Sequence, residues 1–321
     1  MAKLPERQNG LISAIDKAHE DKPELPRQHF GASLAGHHCD RWLWLNFRWA
    51  IIEQFPGRML RLFRRGQNEE ETIVSDLRCA GIEITDADEN GNQYRVDFGN
   101  HLSGSMDGVI TSGVPESPNT PHVAEFKTHS DKSFKQLVKD GVQKSKPMHY
   151  AQMQLYMHGT GMERALYVAI NKNDDTYYTE RVRIDKDFAE SLIQRSHRII
   201  NSDRMPEPCA GASPEWYQCK FCPAYKFCHV NHWATEVNCR TCAHSTAKED
   251  GTWHCARWED KIPAQAQYAG CDSHVFHPDL VPWDFVDGDG VSAKYKDGKR
   301  EFWNGEKGER SIDVVRIDME M

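Results

Sequence analysis

The chain has 321 residues, 39% of them hydrophobic and 27% charged, with a formal net charge of −8. That is the composition of a globular chain long enough for one large domain or two, and it excludes a partner held by bulk positive charge. No run of eighteen apolar residues occurs, so no membrane span is expected.

The N-terminus, MAKLPERQNG, has no apolar signal core, which predicts a cytoplasmic protein. Ten cysteines in that compartment argue against a disulfide framework. Residues 1–30 read as an N-terminal helix, amphipathic from Leu11 to Ala18, plus a connector. Residues 31–52 turn aromatic and apolar, with Ser33 as a plausible N-cap. Cys39 stands alone there, and a lone cysteine reads as a small buried hydrophobe.

Residues 58–65, RMLRLFRR, hold four arginines and no acid. With Phe63 among them, Arg61, Arg64 and Arg65 suit a phosphate backbone, or they form the exposed side of a helix or turn. A helix over 66–80 follows, and its acids Glu69, Glu70 and Glu71 suit the positive end of the helix dipole. A short strand near Ile82–Ile84 and two meander strands come next, with Asn90-Gly91 as a hairpin signal.

The stretch from Gly104 to Tyr156 organises the rest. GSMDGVI and HVAEFKT read as adjacent hairpin strands around a loop at 111–121. Phe134, Leu137, Val138 and Val142 fall at helical spacing, and HYAQMQLY continues the helical reading. In a strand, residues two apart share a face, so Glu125 and Lys127 point together and Asp107 on the neighbouring strand can reach them. Two carboxylates and the Phe126 carbonyl can hold Mg²⁺ or Mn²⁺ through oxygen. A lysine beside the ion can orient or deprotonate a water and offset phosphate charge. That chemistry is phosphodiester hydrolysis.

Asp107, then Glu125-Phe126-Lys127, then Gln152-x3-Tyr156 on a helix together resemble the PD-(D/E)xK nuclease superfamily. The likeness covers about residues 30 to 230 and runs to its RecB, AddB and lambda-exonuclease branches. It implies an α/β core, a central mixed sheet flanked by helices, of restriction-endonuclease type. It implies Gln152 on the scissile phosphate or orienting Lys127 and the water, with Tyr156 one turn further along the same face. Tyr156 also reads as a core aromatic, and Gln154 points elsewhere. RecB-like members usually carry histidine where this chain has Glu70. Lambda-exonuclease-like members carry glutamate, so Glu70 becomes a further metal ligand. The resemblance implies exonuclease action on DNA ends in recombination, repair or replication, alongside a recombination or replication partner protein. A phage or mobile-element origin, and so a host cytoplasm, is consistent with it. A restriction or defence endonuclease, or a silent binding module on the same fold, are the other readings.

RALYVAIN (164–171) and DTYYTERVRI (175–184) read as an antiparallel pair, followed by a helix over 187–200 that ends before Pro206 and Pro208. Cys219, Cys222 and Cys228 then form C-x2-C-x5-C. Four thiolates suit a [4Fe–4S] cluster or zinc. By resemblance to the iron–sulfur nucleases, Cys39 is the fourth ligand and the group is a cluster that clips the chain ends of the nuclease core. Cys239, Cys242, Cys255 and Cys271 form C-x2-C-x12-C-x15-C, close to a zinc ribbon. His244, His254, His274 and His277 compete for the zinc. Cys79 and Cys209 fall outside any ligand spacing. The domains expected are 1–30 as connector, 31–232 as nuclease domain with the clip, 233–280 as a zinc module and 281–321 as a small β-rich tail. Asp297-Gly298 and Asn304-Gly305 mark turns in that tail, and DGDG at 287–290 marks another.

Overall fold

The computed structural model describes residues 10–22 and 25–320, with side chains through 316. The signal-peptide reading rests on residues 1–9, and part of the connector on 23 and 24. Both lie outside the described residues.

In chain order, α1 (Gly10–Glu20), β1 (Phe30–Gly31), α2 (Asp40–Phe47) and α3 (Gly57–Cys79) come first. Five strands follow: β2 (Glu83–Thr85), β3 (Arg95–Asp97), β4 (Leu102–Ser105), β5 (Gly108–Ser112) and β6 (His122–His129). Next are α4 (Asp131–Ser145), α5 (Pro147–Thr160), β7 (Arg164–Asn171), β8 (Tyr177–Arg183) and α6 (Lys186–Ile200).

The central sheet has the order β2-β5-β6-β7-β8 and is mixed. β5 and β6 are antiparallel, β6 and β7 parallel, and β7 and β8 antiparallel. A parallel neighbour needs a crossover, and α4 and α5 supply it. Helices cover both faces of β6, so consecutive residues are buried, one face into each cluster. Ala124 and Phe126 pack with Ile73 and Val74 of α3. Val123 packs on the other side with Met153 and Tyr156 of α5 and Tyr167 of β7.

Several sequence expectations shift. GSMDGVI spans two strands in two different sheets: β4 pairs with β1 and β3, and β5 joins the central sheet. Asp107 sits in the two-residue link between them rather than in a strand. Asn90-Gly91 makes a turn, but its flanks β2 and β3 do not pair with each other. The arginine-rich stretch is the first half of α3, which starts at Gly57 rather than 66. Ser33 lies in a short 3-10 turn, and α2 begins after Cys39 as its N-cap. α4 and α5 are separate because Pro147 opens the second, where its missing N–H costs nothing.

Beyond α6, short helices Tyr217–Lys220 and Tyr225–His229 carry the first cysteine set. β9 (Ser245–Ala247), β10 (Trp253–Cys255) and β11 (Asp260–Ile262) form a small antiparallel sheet. β12 (Asp284–Gly288), β13 (Ser292–Asp297) and β14 (Arg300–Gly305) form the tail meander. Its turn falls at Asp297-Gly298 as expected. Asn304-Gly305 instead ends β14, with Asn304 fully buried. A C-terminal helix, Ser311–Glu320, was not legible in the sequence.

The cysteine-rich stretch is welded to the core around the central sheet. Ala247, Trp253 and Ile262 belong to the same buried cluster as Trp44, Phe47 and Leu102. Arg240, fully buried, reaches from the second cysteine knuckle into that core. Its guanidinium lies 3.7 Å from the Trp49 ring centroid and donates to the Phe47 carbonyl, the Gln28 carbonyl and Gln267 Oε1. The tail has its own core of Trp233, Phe276, Tyr295 and Phe302.

Candidate active site

The site forms where β6, α3, α5 and the β4–β5 link meet. Glu125 is fully buried on β6, its Oε1 paired with Lys127 and its Oε2 without a hydrogen-bond partner. Lys127 Nζ lies 2.5 Å from Glu125 Oε1 and 3.6 Å from Asp107 Oδ2, and it donates to the Phe126 carbonyl at 2.9 Å. Asp107 Oδ2 accepts the Phe126 N–H at 2.7 Å, which ties the β4–β5 link to the neighbouring strand. Glu125 and Lys127, two apart on one strand, thus share a face, as the alternation of a strand requires, and Asp107 reaches them from the link.

Electrostatics bind Glu70 of α3 into the same group. Burial raises its carboxyl to about 7, helped by the charge of Asp107 and opposed by Lys127. Burial likewise raises Glu125 to about 8, against the pull of Lys127. Burial works to lower the Lys127 ammonium, but Glu125 and Asp107 outweigh it and hold it above its ordinary value. Lys127 is therefore a cation here, suited to holding a water or a phosphate oxygen. To act as a base it would first need the carboxylate charge taken up by another cation.

Three acids crowded around one ammonium, with the buried Glu125 Oε2 unpartnered, fit a hard divalent cation, which oxygen ligands satisfy. The Phe126 carbonyl, expected as a ligand, is already an acceptor for Lys127. Among the described residues, no three His, Cys, Asp or Glu side chains are drawn together tightly enough to hold a metal ion as they stand.

Gln152 and Tyr156 lie on the inner face of α5. Gln152 is buried, and its Nε2 donates to the Tyr156 hydroxyl at 3.3 Å. Tyr156 in turn donates to the Ser105 carbonyl at 2.7 Å. Gly104 makes that approach possible: a Cβ there would stand 2.6 Å from the Tyr156 hydroxyl. Tyr156 is thus a buried spacer that sets α5 against the β4–β5 link. Gln154 is structural, bridging the Arg183 carbonyl and the Asp185 N–H ahead of α6.

The arginines divide. Arg61 forms an ion pair with Asp16 of α1, and Glu20 of α1 accepts the Gly57 N–H at 2.6 Å. These polar contacts hold α1 on α3, while Leu11, Ile12 and Ile15 face solvent. Arg61, expected on DNA, is spent on α1. Arg65 donates to the Lys172 carbonyl. Arg64 is exposed.

The cysteine sets are gathered but not closed. Cys39, Cys219, Cys222 and Cys228 line one cavity of about 90 Å³. Arg195 fixes the Cys39 segment by holding Asp40 and the Ala35 and His37 carbonyls. Cys209, outside any ligand spacing in the sequence, lines the same cavity. Cys239, Cys242, Cys255 and Cys271 line a second cavity of about 420 Å³ together with His244. His244 Nε2 is buried without a hydrogen-bond partner. Both nitrogens of His274 and His277 are engaged by hydrogen bonds, which removes them as competing ligands.

Three side chains that sequence reasoning missed stand behind Lys127. His129 Nε2 and His149 Nδ1 both lie within hydrogen-bond distance of the Tyr167 hydroxyl, at 2.8 and 2.9 Å. Tyr167 is the β7 partner of Glu125 across the parallel ladder. The available signal was spacing: His149, Gln152 and Tyr156 fall on one helical face.

No protein-family profile matches the chain, and no curated protein matches it. Among solved structures, the crystal structure of LHK-Exo in complex with dAMP is similar at TM-score 0.39 and 16% identity. It covers 58% of this chain and 90% of that one. The structure of an alkaline exonuclease (LHK-Exo) from Laribacter hongkongensis gives TM-score 0.37 and 17% identity, with the same coverage. The crystal structure of SSO0001 gives TM-score 0.37 and 16% identity, covering 68% of this chain and 94% of that one. Likenesses this loose assign no activity to the chain. Among the described residues, no helix is long and apolar enough to cross a membrane.

Proposed function

We propose that this chain is a divalent-cation-dependent deoxyribonuclease. The observation that carries the reading is Glu125: a fully buried carboxylate paired at Oε1 with a lysine held cationic, its Oε2 without a hydrogen-bond partner, set beside Asp107 and Glu70. Such a group is costly to bury unless something compensates it. Asp107, Glu125 and Glu70 would hold Mg²⁺ or Mn²⁺, which supplies Lewis-acid stabilisation of a phosphoryl oxygen. Lys127 orients water or phosphate beside it. Gln152 lies on the α5 face toward the site and positions the phosphate, and Tyr156 fixes the distance between α5 and Asp107.

DNA is the substrate class, and exonuclease action is the mode that the motif order implies. A labelled linear duplex and a covalently closed circle, each with Mg²⁺, Mn²⁺ or EDTA, test both points. Loss of the linear species alone supports an exonuclease, and cleavage of the circle makes the enzyme an endonuclease. Neither substrate changing with either metal ends the nuclease reading.

The pH response follows from the carboxyls. Glu125 and Glu70 must ionise to hold a cation, so cleavage should rise between about pH 6 and pH 8.5 and then level off. A rate–pH profile at sub-saturating Mg²⁺, where metal and protons compete for the carboxyls, reads this, and a flat profile would count against the ligand set. Stability of the metal-free protein runs the other way. Both folded carboxyls titrate above their ordinary value of 4.5. The native state therefore holds the extra protons, and stability is lost as pH rises from 4.5 through about 8. Melting in EDTA should fall across that window, and Mg²⁺ or Mn²⁺ should restore it at pH 8.

The first cysteine set suits a [4Fe–4S] cluster acting as a clip between residue 39 and residue 228, supported by its four thiols lining one small cavity with Cys209 beside them. The second suits zinc, supported by thiol spacing and by the unpartnered His244 nitrogen in the same cavity. Anaerobically purified protein should be brown, with absorbance near ~400 nm that Cys222→Ala removes. Colourless protein carrying zinc in both sets would overturn the cluster assignment.

A further inference from the structure

Four polar side chains form a chain behind Lys127 that the nuclease reading above does not use. Ser133 Oγ lies 3.3 Å from His129 Nδ1, His129 Nε2 lies 2.8 Å from the Tyr167 hydroxyl, and that hydroxyl lies 2.9 Å from His149 Nδ1. Tyr167 is fully buried and His129 nearly so, at 7% exposure, while His149 is half-buried. The three rings stack, with centroids of the two imidazoles 5.9 Å apart. Polar groups are placed in a core like this only when each has a partner, and here each one does.

The chain has an open end at His149, and the order of donors along it sets that ring's tautomer. A tyrosine hydroxyl has one proton to donate, so it gives it to one imidazole and accepts from the other. Burial, with the charge of Lys127 behind it, pushes His149 down to about 3, and burial with Lys146 and Lys127 pushes His129 down to about 4. Both rings are neutral, so each has one donor nitrogen and one acceptor nitrogen. When Ser133 donates to His129 and His129 to Tyr167, Tyr167 donates to His149 Nδ1. His149 is then left with an N–H at Nε2. That ring sits one turn before Gln152 on the same face of α5, within the field of Lys127.

We infer that His149 is a neutral hydrogen-bond donor to a non-bridging oxygen of the scissile phosphate, and that Tyr167 and His129 are positioning residues that fix its tautomer. The inference rests on the nuclease reading and extends it to a residue on the far side of Lys127. A neutral donor has a purpose here. The site already holds three acids and one ammonium, and an N–H from a ring that cannot titrate grips phosphate without changing that balance.

Single-turnover cleavage of a labelled duplex at saturating Mn²⁺ tests this, using wild type, His149→Leu, His149→Gln, Tyr167→Phe and Asp107→Asn. Mn²⁺ affinity is measured by calorimetry in each. Removing one such donor lowers the rate by about 10²-fold. His149→Leu should show that loss with Mn²⁺ affinity unchanged. His149→Gln should recover most of the rate, because its amide offers an N–H from a similar reach. Tyr167→Phe should lose less than His149→Leu, since the imidazole stays but its tautomer is no longer set. A wild-type rate in His149→Leu overturns the inference, as does equal loss in His149→Leu and His149→Gln. Loss of Mn²⁺ binding in His149→Leu also overturns it, by making the residue part of the metal shell. An inert wild type sinks the nuclease reading and this one together. An active wild type with an inactive Asp107→Asn keeps the first and isolates the second.

Discussion

Asp107→Asn should lower metal-dependent DNA cleavage by about 10³-fold or more while the protein still folds. The two effects separate because of how Asp107 is held. Its Oδ2 accepts the Phe126 N–H, and the asparagine carbonyl oxygen can accept the same bond. The link between β4 and β5 therefore keeps its anchor on β6. What disappears is a negative charge next to Glu125 and Glu70. Lys127→Ala should cost a comparable amount for a different reason. It removes the only cation within 2.5 Å of Glu125 Oε1 among the described residues, and with it the group that orients water or phosphate. Its effect on stability has the opposite cause, since it leaves a buried carboxyl without its partner. Purified variants are compared by initial rate on linear duplex and by thermal melting. Full activity in either, with native melting, would falsify the site.

Arg240→Ala should be the most destabilising single change outside the site. The guanidinium is fully buried and, among the described residues, meets no carboxylate; its hydrogen bonds go to neutral oxygens of Phe47, Gln28 and Gln267. It also lies over the Trp49, Trp253 and Phe47 rings. Truncation strands those acceptors and opens a void between the cysteine knuckle and the core, a cost of about 3–5 kcal/mol. For a chain of this size that is a fall of about 4–8 °C in melting temperature. Arg240→Lys should recover only part of it, because an ammonium can neither stack flat on Trp49 nor fork between Gln28 and Gln267. The measurement is differential scanning fluorimetry of the three proteins at one pH. A change of under ~1 °C in Arg240→Ala would mean that the knuckle is not fastened to the core through this residue.

The sequence was legible wherever function depends on local periodicity. Glu125 and Lys127 share a face because they are two apart in a strand, and the structure puts them 2.5 Å apart. Gln152 and Tyr156 share a face because they are four apart in a helix, and they are hydrogen-bonded. The strand pair at β7 and β8 and the helix α6 were also readable, since each is a single element with its own pattern and turn. Glu70 could be picked out by motif, and its carboxyl is raised by burial and, after that, by the charge of Asp107.

Other features waited on the tertiary structure, each because it depends on contacts between residues far apart in the chain. Nothing local tells Arg61, which Asp16 of α1 takes, from Arg64, which is exposed. Nothing in the spacing of Cys209 places it on the cavity of Cys39, because a proline-bounded segment after α6 carries it there. Asp107 looked like a strand residue, yet it lies in the link where the chain changes sheets, and only strand pairing reveals a change of sheet. The polar chain from Ser133 through His129 and Tyr167 to His149 draws on β6, α4, α5 and β7 at once. Sequence sets which face of an element a residue occupies, because that follows from the repeat of a single helix or strand. Which faces meet is decided by packing, a property of the whole chain at once.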